Sequence, residues 1–297
     1  MSAGRPARLA VGVVSAGRVG AVLGAALAAA GHHVVATSGV SRASVRRASE
    51  LLPDVPLLPP DETVTLADLA LLAVPDDVLP GLVRGLAAAG CFRPGQIVVH
   101  TSGAHGVEVL APAAEHGVLP LALHPVMTFT GRSEDVQRLA ACCFGVTAGV
   151  DDEAAWSVGE ALVVEMTGEP VRVPEAVRPL YHAGLAHGAN HLVTLVRDCA
   201  DLLSRAGVKD PERLLGPLLS AALDNALRHG DRALTGPVAR GDTGTVATHL
   251  EVLGDADPDL ARTYRELAVR TAQRARAAGL LADGAADDVL TTLREER

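Results

Sequence analysis

Leu9-Ala-Val-Gly-Val-Val-Ser-Ala-Gly-Arg-Val-Gly20 is the stretch on which the reading of this chain turns. Leu9–Val14 is a short apolar run rich in β-branched residues. Ser15–Gly20 is a turn of small residues, and Val22–Ala30 is an Ala/Leu helix that stops at Gly31. Strand, glycine turn and helix, in that order, form the context in which a dinucleotide fingerprint is credible. Such a turn brings backbone N–H groups against a pyrophosphate, and the helix N-terminus points at its charge. In the frame G-x-G-x-x-G the chain reads Ser15-Ala16-Gly17-Arg18-Val19-Gly20. Gly17 and Gly20 stand where close approach and helix–strand packing call for glycine. Ser15 replaces the glycine of the tight turn, and serine tolerates unusual φ less well. A secretory signal would begin similarly, with Arg5 and Arg8 before an apolar run, but Arg18 and recurrent glycines interrupt it. The same interruption rules out a membrane span, which needs roughly 20 largely apolar residues.

At 297 residues the chain can bury a sizeable core, as one large or two modest domains. The net charge of −9, with no basic tract, argues against a nucleic-acid partner. Cys91, Cys142, Cys143 and Cys199 show no metal-ligand or redox spacing and read as reduced thiols of a cytoplasmic protein. Lys209 is the only lysine, so Schiff-base or lysine-acid chemistry has a single candidate, in a Gly-Val-Lys-Asp-Pro loop.

His32–Thr37 is a second strand. An NAD site would place an acid near its end to bond the ribose hydroxyls. The sequence instead runs Thr37-Ser-Gly-Val-Ser-Arg-Ala-Ser44, with Arg46 and Arg47 close behind. Ser38, Ser41 and Arg42 suit a 2′-phosphate, which favours NADP over NAD. Pro53–Pro60 is a connection. Asp68–Pro75 is a buried strand ending at Val74-Pro75, Val78–Ala89 a helix, and Ile97–His100 a strand ending in Thr101-Ser102-Gly103. Val118–Leu123 is another strand, ending in His124-Pro125. Cys142–Thr147 and Pro170–Val173 flank a helix over Asp151–Met166. Near-continuous apolar strands alternating with helices predict an α/β, doubly wound Rossmann sheet over residues 1–173. Ligands bind beyond the carboxyl ends of such strands, which places Val74, Pro75, Thr101, Ser102 and His124 with the Ser15–Gly20 turn on the binding edge.

From Pro174 the strands cease, and residues 174–297 read as an all-helical domain for substrate and dimerisation. Glu175–Ala206 is a long helix with apolar residues most of the way round, either a domain core or a subunit interface. Pro211–Arg228 is a second helix with Asp210 as N-cap. Leu234–Asp242 is a loop in which Arg240 suits a carboxylate and Asp242 caps the next helix. Thr243–Leu253, Asp259–Ala278 and a segment from Asp283 are further helices. Tyr181-His182…His187-Gly-Ala-Asn190-His191 sets polar groups into the long apolar helix. By helical geometry Asn190 falls angularly between His182 and His187. A histidine there can give a proton to a developing alkoxide or amide. His187 and His191 are four apart without a third ligand, so no metal site is expected.

These motifs together resemble the Rossmann-like oxidoreductases that carry a helical C-terminal domain of unknown function. The resemblance rests on the Val11–Gly20 turn, Ala73-Val-Pro-Asp-Asp77, His100-Thr-Ser-Gly103, Leu123-His-Pro-Val126, Tyr181-His…Asn190-His191 and Gly236-Pro-Val-Ala-Arg-Gly-Asp242. More distantly the chain is similar to ketopantoate reductase, pyrroline-5-carboxylate reductase and the 6-phosphogluconate-dehydrogenase-like group. That kinship implies NADP and a homodimer built through the helical domain. It departs from the ketopantoate pattern at Ala186, where that group has a lysine four residues before its asparagine. The expectation is an NADPH-dependent reductase of a small carbonyl compound, ketopantoate first. His187 or His182 would be the acid, Asn190 and Ser102 would orient substrate, and Arg240 would hold its carboxylate. The nucleotide would lie on Ser15, Ala16, Gly17, Arg18, Val19 and Gly20. A reductase of imines or of a deazaflavin, and a catalytically silent NADP-binding regulator, are the other two readings.

Overall fold

A computed structural model of the chain describes residues 8–149 and 152–295. The chain folds as two compact units, Met1–Ala189 and Asn190–Arg297.

In the first unit the opening stretch is β1 (Ala10–Val14), the turn, and α1 (Arg18–Ala29), followed by β2 (His33–Thr37) and α2 (Arg42–Leu51). A short helix, α3 (Pro60–Thr65), follows the connection that ends at Pro60. Pro in its first turn and Asp61 and Glu62 beside it suit a helix start. Next come β3 (Leu69–Leu72), α4 (Leu79–Ala88), β4 (Ile97–His100), α5 (Ala111–Ala114) and β5 (Leu119–Pro125). The unit continues through α6 (Glu134–Arg138), β6 (Cys143–Thr147), α7 (Glu153–Glu165), β7 (Glu169–Arg172) and the start of α8 (Arg178–Arg205). Arg5 of the signal-like reading and Asp151, the expected start of α7, lie outside the described residues.

The sheet order is β2-β1-β3-β4-β5-β6-β7. The chain leaves β1 for β2 on one side and reaches β3 on the other, so the Ser15–Gly20 turn sits at the topological switch point. β1 to β5 are parallel, but β6 pairs antiparallel with β5, His124 opposite Gly145. The cause is the connection. Only α6 and short turns lie between β5 and β6, whereas a parallel return needs a crossover. α7 then supplies one, and β7 runs parallel to β6. Leu23 and Leu27 of α1, Leu162 and Val163 of α7, and Met166 just after it cover one face of the sheet. Leu79, Val83 and Leu86 of α4, with Leu110, cover the other. Burial on both faces explains why the strands read as unbroken apolar runs.

The division between the units falls within α8. The second unit continues with α9 (Glu212–His229), α10 (Gly236–Arg240), α11 (Thr243–Ala256), α12 (Pro258–Ala277) and α13 (Asp283–Arg294). Its core joins Val238, Val246, Ala268, Ala272, Val289 and Leu293. Two expectations change here. Asp210 is not the cap of α9; Pro211 holds that position, and Asp210 adopts φ +52°. Residues 234–242 are not all loop, since five of them form α10. Of the apolar residues of α8, Leu180, Leu192, Val193 and Leu195 are exposed, Leu185, Val196 and Leu202 half-buried, and Ala200 buried. Asp242 caps α11 as expected, accepting from the Thr245 amide at 3.0 Å.

Candidate active site

The first cluster is the turn after β1. Ser15 sits at φ +77°, the left-handed region that favours glycine. The strained turn is pinned from β2. The Ser15 amide donates to Ser38 Oγ at 2.8 Å and the Ala16 amide to the Ser38 carbonyl at 2.7 Å. Ser38 is therefore engaged by the turn itself. Gly20 has to be glycine because a Cβ there would stand 2.1 Å from the Ser15 carbonyl oxygen. At Gly17 such a Cβ would meet Ser15 Oγ at 3.4 Å and the Ala73 carbonyl at 3.9 Å, ordinary contact distances, so nothing crowds the helix start there. Gly17 caps α1 without a side-chain acceptor, and the first turn holds no acidic residue. The leading amides of α1 thus meet no carboxylate or hydroxyl of their own, which suits an anion. Arg18 is exposed at this helix start. Ser41 caps α2 in a reciprocal capping box with Ser44, leaving Arg42 exposed as the first residue of α2. Arg47, half-buried on α2, approaches Arg18 across Gly131. Val74, Pro75 and Thr101 follow β3 and β4 on the same edge. These residues fit a phosphorylated dinucleotide: open amides for its pyrophosphate, guanidinium groups for a further phosphate.

The second cluster lies beyond β4 and β5. His124 Nδ1 is 2.8 Å from the Tyr181 hydroxyl, the two rings meeting edge to face. His182 packs edge-on against His124 with ring centres 5.9 Å apart. Gly103 lies under both. A Cβ there would stand 2.6 Å from His182 Cδ2 and 2.9 Å from His124 Nε2. Burial, and then the nearby Arg178 guanidinium, push the His124 imidazole down to about 4. Burial raises the Tyr181 phenol, and Arg178, 5.8 Å from its ring, opposes that. At neutral pH the pair is a neutral imidazole and a neutral phenol. In one tautomer His124 donates from Nδ1 and frees the phenol proton for a ligand; in the other the phenol donates to Nδ1.

Arg178 organises this corner. It is fully buried at the first residue of α8, where the helix dipole disfavours a cation. Its guanidinium donates to the carbonyls of His105 (2.8 Å), Gly145 (3.2 Å) and Ser102 (3.4 Å). Beside it His100 accepts the Ser102 amide at Nδ1, so Nε2 carries the proton donated to the Gly106 carbonyl at 2.8 Å. Burial holds His100 at about 3. Glu175 accepts the Val107 amide at 2.6 Å, fixing the loop from the far side.

The structure thus brings Ser102, His124 and His182 together. Ser102 is buried, and its hydroxyl accepts the Ala104 and His105 amides, closing a turn. His187 is exposed, about 9 Å of helix rise beyond Tyr181. Asn190 and Arg240 are exposed in the second unit. Sequence reasoning missed Arg178 and the pairing of Tyr181 with His124. The one signal for Arg178 was a cation at a helix start, against the dipole. Among the described residues no cluster of His, Cys, Asp and Glu could hold a metal ion. Nor is any described helix long and apolar enough to cross a membrane.

Residues 1–125 match the family model of a Rossmann-like domain, and residues 142–271 match that of a domain of unknown function, DUF2520. The chain is a Rossmann-like domain followed by a DUF2520 domain. The His124–Tyr181 hydrogen bond therefore joins a Rossmann-like residue to a DUF2520 residue. No curated protein matches the chain. Among solved structures, a Bacteroides fragilis protein provisionally named as an NADP oxidoreductase is 21% identical, with 89% of this chain and 98% of that one covered and a TM-score of 0.73. An imine reductase from Myxococcus stipitatus, in complex with NAD+, is 16% identical over 97% and 100% of the two chains, with a TM-score of 0.61. A Plasmodium falciparum pyrroline carboxylate reductase with NADP bound is 11% identical over 96% and 98%, with a TM-score of 0.56. The likeness to these three is one of fold.

Proposed function

We propose that this protein is an NADPH-dependent reductase of a small C=N compound, with small C=O compounds as the second class. The observation that carries the reading is the acid-free start of α1 behind Ser15–Gly20, with Arg18 and Arg47 meeting at Gly131 and Arg42 exposed as the first residue of α2. The bound dinucleotide supplies the hydride. Reduction of C=N to an amine then takes one proton, and the His124–Tyr181 pair stands where strand-end loops meet ligands. Tyr181 gives its proton, His124 Nδ1–H supports the oxygen left behind, and Arg178 lowers the cost of that negative charge. His182 walls the site beside Gly103, and Ser102 shapes the loop under it. Imines stand ahead of ketopantoate because the solved folds of this kind include imine and pyrroline carboxylate reductases. The lysine of the ketopantoate pattern is also missing at Ala186. A substrate carboxylate rests on Arg240 alone, and the reading does not require it.

The helical part is also proposed to form a homodimer. In α9 only Leu215 is buried, while Leu214 and Leu218 are exposed on one face and Leu223 and Leu227 on the opposite one, so the helix shows apolar side chains to water on two sides, as a helix does that is covered by a partner.

The test follows NADPH absorbance with a panel of cyclic imines and 2-keto acids, ketopantoate included. Tyr181→Phe is expected to cut kcat by about 10²-fold or more with NADP+ binding retained. Tight NADP+ binding with no panel member reduced would replace the reductase by the silent regulator.

A further inference from the structure

The loop between β5 and α6 plays no part in the chemistry above, yet it is built with care around a buried carboxylate. Asp135 is 0% exposed. Its Oδ2 accepts the Thr130 amide at 2.7 Å, the Gly131 amide at 2.8 Å and the Thr130 hydroxyl at 3.0 Å; its Oδ1 receives Arg138 at 3.3 Å. Burial opposes ionisation, but the Gly131 and Thr130 donors and Arg138 outweigh it and keep the group below the ordinary carboxylate range. The loop so fixed presents Gly131, at φ +79°, to two arginines. A Cβ on Gly131 would stand 2.8 Å from Arg47 Cδ and Nε, and 2.9 Å from Arg18 Cγ. The stems of Arg18 and Arg47, from two different helices, thus rest against one backbone position. Among the described residues neither arginine is held by an ion pair. Long side chains lose rotamer freedom when fixed, so a backbone stop that has already restricted them favours capture of a phosphate.

We propose that Asp135 is a positioning residue for cofactor choice: through Gly131 it sets Arg18 and Arg47 to receive the 2′-phosphate, and so the preference for NADP over NAD. This rests on the cofactor reading above. Because Arg138 neutralises Asp135 locally, the residue acts through loop geometry rather than through its field.

The test is calorimetry with NADP+, NAD+, 2′,5′-ADP and 5′-AMP, which needs no substrate. Asp135→Asn is expected to weaken NADP+ and 2′,5′-ADP about tenfold, the effect of removing one charge-assisted hydrogen bond to the phosphate, and to leave NAD+ and 5′-AMP within about twofold. Arg47→Gln is expected to do the same. Combined with both Arg18→Gln and Arg47→Gln, the Asp135 substitution is expected to cost nothing further for NADP+. Thr130→Val, which removes only the hydroxyl, gives a smaller shift of the same sign and serves if Asp135→Asn does not fold. Equal weakening of both dinucleotides would make Asp135 merely structural and overturn the inference, as would unchanged affinities. A wild-type protein that binds neither dinucleotide overturns the cofactor reading itself.

Discussion

Ser15 occupies a backbone conformation that its neighbours impose rather than one that it prefers. At φ +77° an L-residue gives up about 1–2 kcal/mol, and glycine gives up little. Part of that gain is lost because glycine leaves more freedom to the unfolded chain, by about 0.4–1 kcal/mol. Ser15→Gly is therefore expected to raise stability by about 0.5 kcal/mol, read as a higher urea midpoint at unchanged slope; a lower midpoint would mean that the serine side chain stabilises the turn. Gly103→Ala is expected to do the opposite at the second cluster. Its Cβ would displace both His182 and His124, lowering kcat while NADP+ affinity stays within about twofold, since Gly103 adjoins only the proton-donating side. The replacement of glycine by serine was legible in the fingerprint frame, because the frame fixes which position turns. Asp135 was not. Thr-Gly-Arg-Ser-Glu-Asp135 is a polar string, and only tertiary packing decides that one of its carboxylates is buried and fully bonded.

At the level of elements, the first unit's strands were readable because each is a short apolar run closed by small or polar residues. Their number survived translation into structure; the direction of β6 did not. Direction depends on the connecting chain, and a polar stretch of loop carries no periodic signal for it. α3 escaped for a related reason, being six residues long. The ends of β4 and β5 carry a pH prediction. His100 and His124 are held near 3 and 4, against 6.5 in the unfolded chain. Below pH 6.5 the unfolded state binds more protons, so stability falls as the pH drops from about 6.5 to 4. His124 alone accounts for about 3 kcal/mol of that fall, to order of magnitude. Thermal unfolding across this range is expected to slope steeply for the wild type and less for His100→Gln; equal slopes would remove His100 from the account.

For the whole molecule, the sequence reading placed the boundary at 173/174, and the compact units divide at Ala189. The difference is the first part of α8, whose Arg178, Tyr181 and His182 meet the strand ends while Leu180 is exposed and Leu185 half-buried. Hydrophobic pattern alone cannot separate a buried helix from one that waits for a partner. If α9 does wait for a second copy, Leu218→Asp with Leu227→Asp is expected to halve the mass measured by light scattering without loss of helical signal. A wild-type protein that is already monomeric at micromolar concentration would end the dimer reading. Arg178 bears on how such molecules can be cut and recombined. A graft made at Val173, the natural seam in the sequence, would leave behind the guanidinium that satisfies the Ser102, His105 and Gly145 carbonyls. Three carbonyls at the strand ends, those of Ser102 and Gly145 in buried bonds, would lose that donor together. An exchange of the helical part therefore has to leave the opening turns of α8 with the sheet, and the workable join lies inside that helix rather than ahead of it.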